Sequence, residues 1–142
     1  MEKNILVISY YTLEIGMAES IILIKSEAFA DRIIKLYKFL CYEKQEYIIS
    51  KQIFRSGTSI GANIAESMYA ESKKDFISKL AIAQKETAET LYWLRRLQAG
   101  QFINTSQYEN IYADCTELIK IITSIITSTK LKYVPKSIIT NN

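Results

Sequence analysis

Residues that interrupt helices are scarce in this chain. It has only 4 glycines and 1 proline among 142 residues, so few positions mark turns. Between these positions, apolar residues recur at steps of three and four, which is the period of a helix that buries one face. The sequence therefore predicts an all-α fold made of a few long helices, and its length fits one domain.

Four segments carry this helical spacing, and local capping residues suggest where they begin and end. Ser26, Ser72 and Ser106 are each placed to cap the start of a helix, and Gly100 is placed to end one. The predicted helices span about residues 26–42, 49–70, 73–99 and 106–130.

Helices of this length with short connections bury their apolar faces most simply as an antiparallel up-and-down four-helix bundle. We assign residues 25–130 to this bundle and residues 131–142 to a mobile basic tail. Residues 1–24 have no clear periodic partner and form an N-terminal extension or arm that is a candidate for disorder. Met17, within this arm, is a second candidate start residue.

The chemistry available to the chain is narrow. It contains no histidine, the commonest proton shuttle and the commonest zinc ligand, and we predict no metal, no cofactor and no enzyme activity. Cys41 and Cys115 lie in helical apolar patterns without a second ligand nearby, which predicts buried free thiols. Neither a signal peptide nor a membrane span is evident, so we expect a cytoplasmic protein.

The run from Ser56 to Glu66 is unusual for a helix interior. It contains two glycines within five residues, each costing roughly 1 kcal/mol relative to alanine. Gly57, Gly61 and Ala65 are spaced four apart and would form a smooth groove for close contact with another helix. We predict that this groove packs within the bundle or between subunits.

Polar side chains follow the same run at steps of three, four and three. A solvated polar face is one interpretation, but these residue types favour a buried or interfacial hydrogen-bond network. A catalytic role for one of the serines would need Lys51 or Lys79 as its base and is disfavoured. The polar residues predicted at this interface are Ser56, Ser59, Asn63 and Glu66.

Helix three and the tail carry further charged groups. Lys79, Glu86 and Glu89 share sides of helix three, which favours salt bridges over a metal site in a chain without histidine. Tyr92 and Trp93 adjoin two arginines in an arrangement that could hold nucleic acid, although core or interface packing of Trp93 is the alternative. The candidate nucleic-acid contacts are Arg95, Arg96, Lys130, Lys132 and Lys136.

Several of these runs together carry a resemblance to a known family. Lys25–Ala30, Gln52–Glu66, Lys73–Leu80 and Lys85–Leu94 resemble the bacterial four-helix-bundle family first noticed in open reading frames within intervening sequences of large-subunit ribosomal RNA genes. The resemblance covers about residues 25–130 and implies an up-and-down bundle that assembles as a homopentameric ring without enzymatic activity. A similar protein is the accessory variability protein of diversity-generating retroelements, which binds RNA and a reverse transcriptase.

Two functions remain open at this point. The resemblance and the formal charge of +3 suggest an oligomeric adaptor that binds RNA or a nucleic-acid enzyme. The alternative is a protein-only scaffold of a small regulatory or mobile-element system. The charge is smaller than that of a dedicated nucleic-acid-binding domain, so the sequence alone does not choose between them.

Overall fold

Four helices make up the part of the chain that the structure describes. The structure is a computed structural model that describes the backbone of residues 2–132 and the side chains of residues 13–132. No strand occurs in the described backbone, which confirms the predicted all-α class. The helices are α1 (Glu2–Tyr42), α2 (Ile49–Ser67), α3 (Lys73–Ala99) and α4 (Thr105–Leu131).

Each helix packs against the helices that precede and follow it in the chain. Close backbone contacts join α1 to α2, α2 to α3, α3 to α4, and α4 back to α1, whereas the backbones of the diagonal pairs lie farther apart in the described residues. The short connections between consecutive helices make neighbours antiparallel. The described residues thus form an up-and-down four-helix bundle.

The interior of the bundle is filled mainly by branched aliphatic side chains. In each helix the buried positions recur at helical spacing, as the sequence predicted. Met68 lies within the span predicted for the second helix, but α2 ends at Ser67 and Met68 is 37% exposed just beyond it. The largest fully buried side chains are Phe29, Ile22, Ile33, Leu40, Ile53, Ile60, Ile64, Leu80, Leu94, Leu97, Leu118 and Ile122.

The first helix begins much earlier than the sequence suggested. It starts at Glu2, so the prediction that Ser26 caps it is wrong. Ser26 is fully buried in mid-helix, and its hydroxyl donates to the carbonyl of Leu23, a local bond that satisfies a serine inside a helix. Ile22 already belongs to the core, while the division of the chain at residue 25 stays a prediction.

Helices α3 and α4 begin at polar caps. The Ser72 hydroxyl accepts a hydrogen bond from the amide of Asp75, which confirms that prediction. The cap of α4 is Asn104, and the prediction of Ser106 is wrong. Asn104 exchanges two bonds with Gln107, side chain to backbone in each direction, and so satisfies two amides at once.

Gly100 follows the last residue of α3, as predicted, but not because of its conformational freedom. Its φ is −79°, and the left-handed residue is the next one, Gln101, with φ of 61°. A Cβ at position 100 would lie 2.9 Å from the ring of Phe102, so a side chain here would displace that ring.

An unpredicted cap begins α2. The Glu46 carboxylate is buried and accepts bonds from the amides of Ile48, Ile49 and Ser50, at 3.0, 2.8 and 2.6 Å. These amides have no partner within the helix, and a negative charge beside them is favoured by the helix dipole. Glu46 therefore belongs to the structure of α2 and not to a solvated connection.

Both cysteines are free thiols. Cys115 is buried, and this burial raises the pKa of its thiol to about 12, whereas Cys41 is only half-buried. None of the four described helices combines the length and the apolar character needed to cross a membrane.

Candidate functional site

The two glycines of α2 lie against α1 within the same chain. A Cβ at Gly57 would lie 2.7 Å from Cγ1 of Ile33, and a Cβ at Gly61 would lie 3.3 Å from the carbonyl oxygen of Ser26. Both distances are shorter than ordinary van der Waals contact, so the helices approach closely because these positions lack side chains. The glycines thus position α2 on α1.

Ser56 lies on the other side of α2 and contacts α3. Its hydroxyl is buried and accepts a hydrogen bond of 2.9 Å from Thr90. Thr90 also bonds the carbonyl of Glu86 in its own helix. The sequence indicated a buried bond for Ser56 but not the partner, because threonine in mid-helix carries no signal for a contact across helices.

Ser59 and Asn63 bond mainly to their own helix. The Ser59 hydroxyl donates to the carbonyl of Arg55, and the Asn63 amide donates to the carbonyl of Ser59. Ala65 is exposed and lies outside the glycine contact with α1, since a spacing of eight residues turns it away. Within one chain the predicted groove therefore ends at Gly61, and a role of Ala65 between subunits stays a prediction.

The strongest polar cluster joins α2 to α3 through Arg55. Its guanidinium pairs with Glu86 at 3.3 Å and with Glu89, which also accepts a bond of 3.1 Å from the indole of Trp93. The bond from Arg55, followed by that from Trp93, holds the pKa of Glu89 below its ordinary value against the opposing effect of burial. In turn, Glu89 and Glu86 raise the pKa of Arg55 above its ordinary value.

A second ion pair joins the same two helices, near the end of α2 and the start of α3. Lys79 of α3 lies 2.9 Å from the carboxylate of Glu66 on α2. The predicted salt-bridge role of Lys79, Glu86 and Glu89 is thus realised between helices and not along one helix. Together with Arg55, these residues form a polar stripe on the α2–α3 face that ties the two helices together.

The predicted nucleic-acid residues on α3 and α4 lie at opposite ends of the bundle. Arg95 and Arg96 are exposed near the end of α3, where Arg96 lies 5.5 Å from the ring of Tyr92. Lys130 and Lys132 are exposed at the end of α4, which is antiparallel to α3. Lys136 lies outside the described residues.

The end of α4 instead meets the start of α3. Lys130 lines one cleft with Lys73 and Lys74, and Lys132 lines a second cleft that Lys73 also borders. We call these four residues, Lys73, Lys74, Lys130 and Lys132, the lysine end. Arg96 lies about 33 Å along α3 from Lys74, at a rise of 1.5 Å per residue, so one chain offers two separate basic regions.

The clefts at the lysine end combine charge with apolar surface. The cleft between α3 and α4 has a volume of about 480 Å³ and is lined by Ser72, Ile77 and Thr129 besides its three lysines. Glu19 borders the second cleft beside Lys132. Burial raises the pKa of Glu19, and Lys132 opposes that shift. The charged side chains that line the two clefts are thus four lysines and one carboxylate, with Asp75 nearby in the first turn of α3.

Other chemistry finds less support in the arrangement. In the described part of the chain, no three acidic, cysteine or histidine side chains group closely enough to hold a metal ion. The Ser56 hydroxyl is buried and bonded to Thr90, and Lys79 is engaged by Glu66. The polar stripe therefore serves packing and charge pairing.

Comparisons with known proteins agree with this architecture. The model of the family described as 23S rRNA-intervening sequence protein matches residues 18–124. The crystal structure of a protein of unknown function from the S23 ribosomal protein family of Bacteroides thetaiotaomicron VPI-5482 is 52% identical, with a TM-score of 0.77 over 78% of this chain and 98% of that chain. No curated protein matches the sequence.

Proposed function

The chain belongs to the 23S rRNA-intervening sequence protein family, and from that premise we propose that it is a non-catalytic, homo-oligomeric adaptor whose lysine end binds structured RNA. The observation that carries the proposal is the meeting of four lysines from two helices. They are separate in sequence, and the antiparallel packing of α3 and α4 gathers them at one end.

The lysine end suits a polyanion better than a small ligand. Its ammonium groups lie on helix termini around open clefts, where they can reach successive phosphates without a shaped pocket. The start of α3 adds the positive end of a helix dipole. Such contacts bind by charge, so they release counterions and weaken as salt rises.

Assembly into a ring would multiply this weak charge. The resemblance to ring-forming relatives motivates a pentamer, and the outward face of α2 offers small exposed residues, Ala62 and Ala65, beside Phe54, for close contact between copies. Five copies would present five lysine ends to one RNA, so that modest single contacts add up to avidity.

The non-catalytic part of the proposal rests on the side chains themselves. The chain has no histidine, and the serine most favoured by its position, Ser56, has its hydroxyl buried in a bond with Thr90. A nucleophile needs a base and access to substrate. Ser59 is more accessible, but its hydroxyl donates to the carbonyl of Arg55.

The test is binding of a fluorescently labelled structured RNA, followed by anisotropy at low and moderate salt, with light scattering on the same samples. We expect a particle of about five times the 16.3 kDa of one chain, or about ten times where two rings are joined, and an RNA affinity that falls steeply with salt. The double variant Lys73→Glu and Lys130→Glu should weaken binding at least tenfold and keep its helix content.

The matched control reverses two exposed lysines on α1, Lys35→Glu and Lys38→Glu, which lie away from the lysine end. Equal loss in both variants would indicate a general charge effect and would contradict a specific site. A loss confined to a variant of Arg95 and Arg96 would move the RNA contact to the other end of the bundle.

A protein-only scaffold is the second candidate, and the charge pattern along the bundle favours it. The α1–α4 face carries Lys25 paired with Glu117 and Arg32 paired with Asp114, so it presents no continuous basic belt. If the oligomer does not bind RNA at low salt and the lysine variants behave as wild type, the protein-only scaffold is favoured over the RNA-binding adaptor.

A further inference from the structure

The outward face of α1 carries a row of large apolar side chains exposed to solvent. Leu13, Met17, Ile21 and Ile24 are 65%, 59%, 44% and 68% exposed, and they follow one another at steps of four, four and three. This spacing places them on one side of the helix. We call these four residues the α1 stripe.

The α1 stripe lies on the side of α1 that faces away from the bundle. The inward side is formed by Ile22, Ser26 and Phe29, all buried. Ala28 continues the stripe as an exposed small residue, and beyond it the same outward face becomes charged. An apolar row that stops where charges begin marks a contact surface and not a random scatter of exposed residues.

Part of this surface lies outside the region shared with the family. The family match begins at residue 18, so Leu13 and Met17 precede it. Gly16 and Ser20 flank the stripe, and a Cβ at Gly16 would meet nothing within 4 Å. The backbone of α1 is thus open to close approach by another helix beside the apolar row.

We propose that the α1 stripe binds the α1 stripe of a second copy of this chain, as an antiparallel helix pair with its two-fold axis at Met17. In this register Met17 meets its own copy, and Leu13 of each chain meets Ile21 of the other. In the sequence the same spacing continues at Tyr10 and Leu6, positions that would stand opposite Ile24 and Ala28.

Charge is compatible with this register. Glu14 stands opposite Ser20, and Glu27 stands opposite Val7, so no carboxylate is placed against another carboxylate. In the sequence, position 3 is a lysine and falls opposite Asp31 in this register, so residues of opposite charge face each other there. An RNA partner does not fit the α1 stripe, because its side chains offer neither charge nor a hydrogen-bond donor.

The pair is isologous, which separates it from a head-to-tail ring. A two-fold contact brings a residue on the axis against its own copy, whereas a ring contact brings two different residues together. The α1 pair is therefore independent of the proposed pentamer and of RNA binding. It would join two subunits or two rings.

Disulfide trapping tests the register. Met17→Cys should give a covalent dimer under mild oxidation, because the two positions coincide at the axis. Leu13→Cys is the matched control, because the two copies of position 13 would be displaced by about 12 Å along the helices, too far for a disulfide. A mixture of Leu13→Cys and Ile21→Cys chains should form a mixed dimer.

Wild-type protein controls for Cys41 and Cys115 under the same oxidation. Failure of Met17→Cys to cross-link, or equal cross-linking of Leu13→Cys alone, overturns the antiparallel pair.

Light scattering tests the contact itself. The double variant Met17→Glu and Ile21→Glu should halve the mass of the wild-type particle at equal concentration and keep the same helix content. The control double variant Tyr42→Glu and Ile48→Glu replaces two apolar residues that are 80% and 78% exposed outside the stripe, and it should keep the wild-type mass. An unchanged mass in the stripe variant overturns the proposal, as does a fall to one fifth.

Discussion

At the scale of single residues, the close approach of α1 and α2 depends on what Gly57 and Gly61 lack. Alanine at either position would gain about 1 kcal/mol of helix propensity. Against that gain stands the cost of forcing atoms into a packed contact, about 1–3 kcal/mol. The glycines are favoured because the packing cost exceeds the propensity gain, most clearly at Gly61, whose neighbour is the backbone of Ser26.

A leucine at position 61 puts this balance to the test. Gly61→Leu should lower the free energy of unfolding by about 2 kcal/mol or more, because the backbone facing it cannot rotate away. Urea denaturation with a helical signal measures the effect. Gln52→Leu is the control, since position 52 of α2 is exposed and leucine is a good helix former, and equal losses in both variants would contradict close packing at Gly61.

Also at this scale, a single carboxylate makes α2–α3 cohesion depend on pH. The pKa of Glu89 is lowered in the folded state, chiefly by the bond from Arg55. Its contribution to stability is therefore complete above the unfolded pKa of about 4.3 and is lost as pH falls through the folded value. Because Arg55 is half exposed, we expect this contribution to remain below about 1 kcal/mol.

Glu89→Gln should consequently lower the urea midpoint slightly at neutral pH, where the ion pair is complete, and change it little at pH 3, so that the fall between pH 6 and pH 3 becomes shallower. In an Arg55→Met background the same substitution should no longer alter the pH dependence. A slope that Glu89→Gln leaves unchanged in the wild-type background would show that the ion pair contributes nothing measurable.

At the scale of helices, the start of α2 depends on a residue four positions before Ser50. Glu46 accepts three amide bonds and is itself buried, so its carboxylate replaces the partners that the first turn of a helix lacks. The usual capping residues are short, and no such residue stands immediately before α2. The sequence therefore carries no short-range capping signal for the start of α2.

Removal of this cap should loosen the first turn of α2. We expect Glu46→Ala to cost about 1–2 kcal/mol in the free energy of unfolding, because it leaves three amides at the start of α2 without this partner, one of them buried. Thermal denaturation measures the loss. The nearby Glu43 is exposed, so Glu43→Ala is the control. Similar melting of both variants would show that Glu46 does not stabilise α2.

Helices were predictable where their signals are local. The bounds of α3 agree with the prediction, since Ser72 and Gly100 mark both ends. The start of α1 was not found because Ser26 has the side chain of a cap but the surroundings of a helix interior. Partners across helices, such as Arg55 with Glu89, depend on how two helices are aligned, and no spacing within either one carries that information.

At the scale of the whole molecule, one chain leaves many apolar side chains exposed that its own bundle does not bury. Apolar groups remain exposed on α1, on α2 at Phe54, and on α3 at Ile82 and Tyr92. A protein of this size that buries such groups between copies couples its folding to its concentration. The proposed ring and the α1 pair share this consequence.

Thermal stability should therefore depend on protein concentration. We expect the Tm to rise by several degrees when the concentration increases a hundredfold, because association favours the folded subunits. Scanning calorimetry over that range measures it. A Tm that does not change with concentration would indicate a folded monomer and would contradict both assemblies.

The buried thiol of α4 can report how often the bundle opens. Cys115 is enclosed by the core with its sulfur 3.7 Å from the carbonyl of Thr87, and burial raises its pKa to about 12. The thiolate is the form that attacks thiol reagents, so Cys115 reacts only after α3 and α4 separate and expose its sulfur to solvent. The labelling rate of Cys115, with Cys41 replaced by serine, thus counts openings of the folded protein that no equilibrium melt would register.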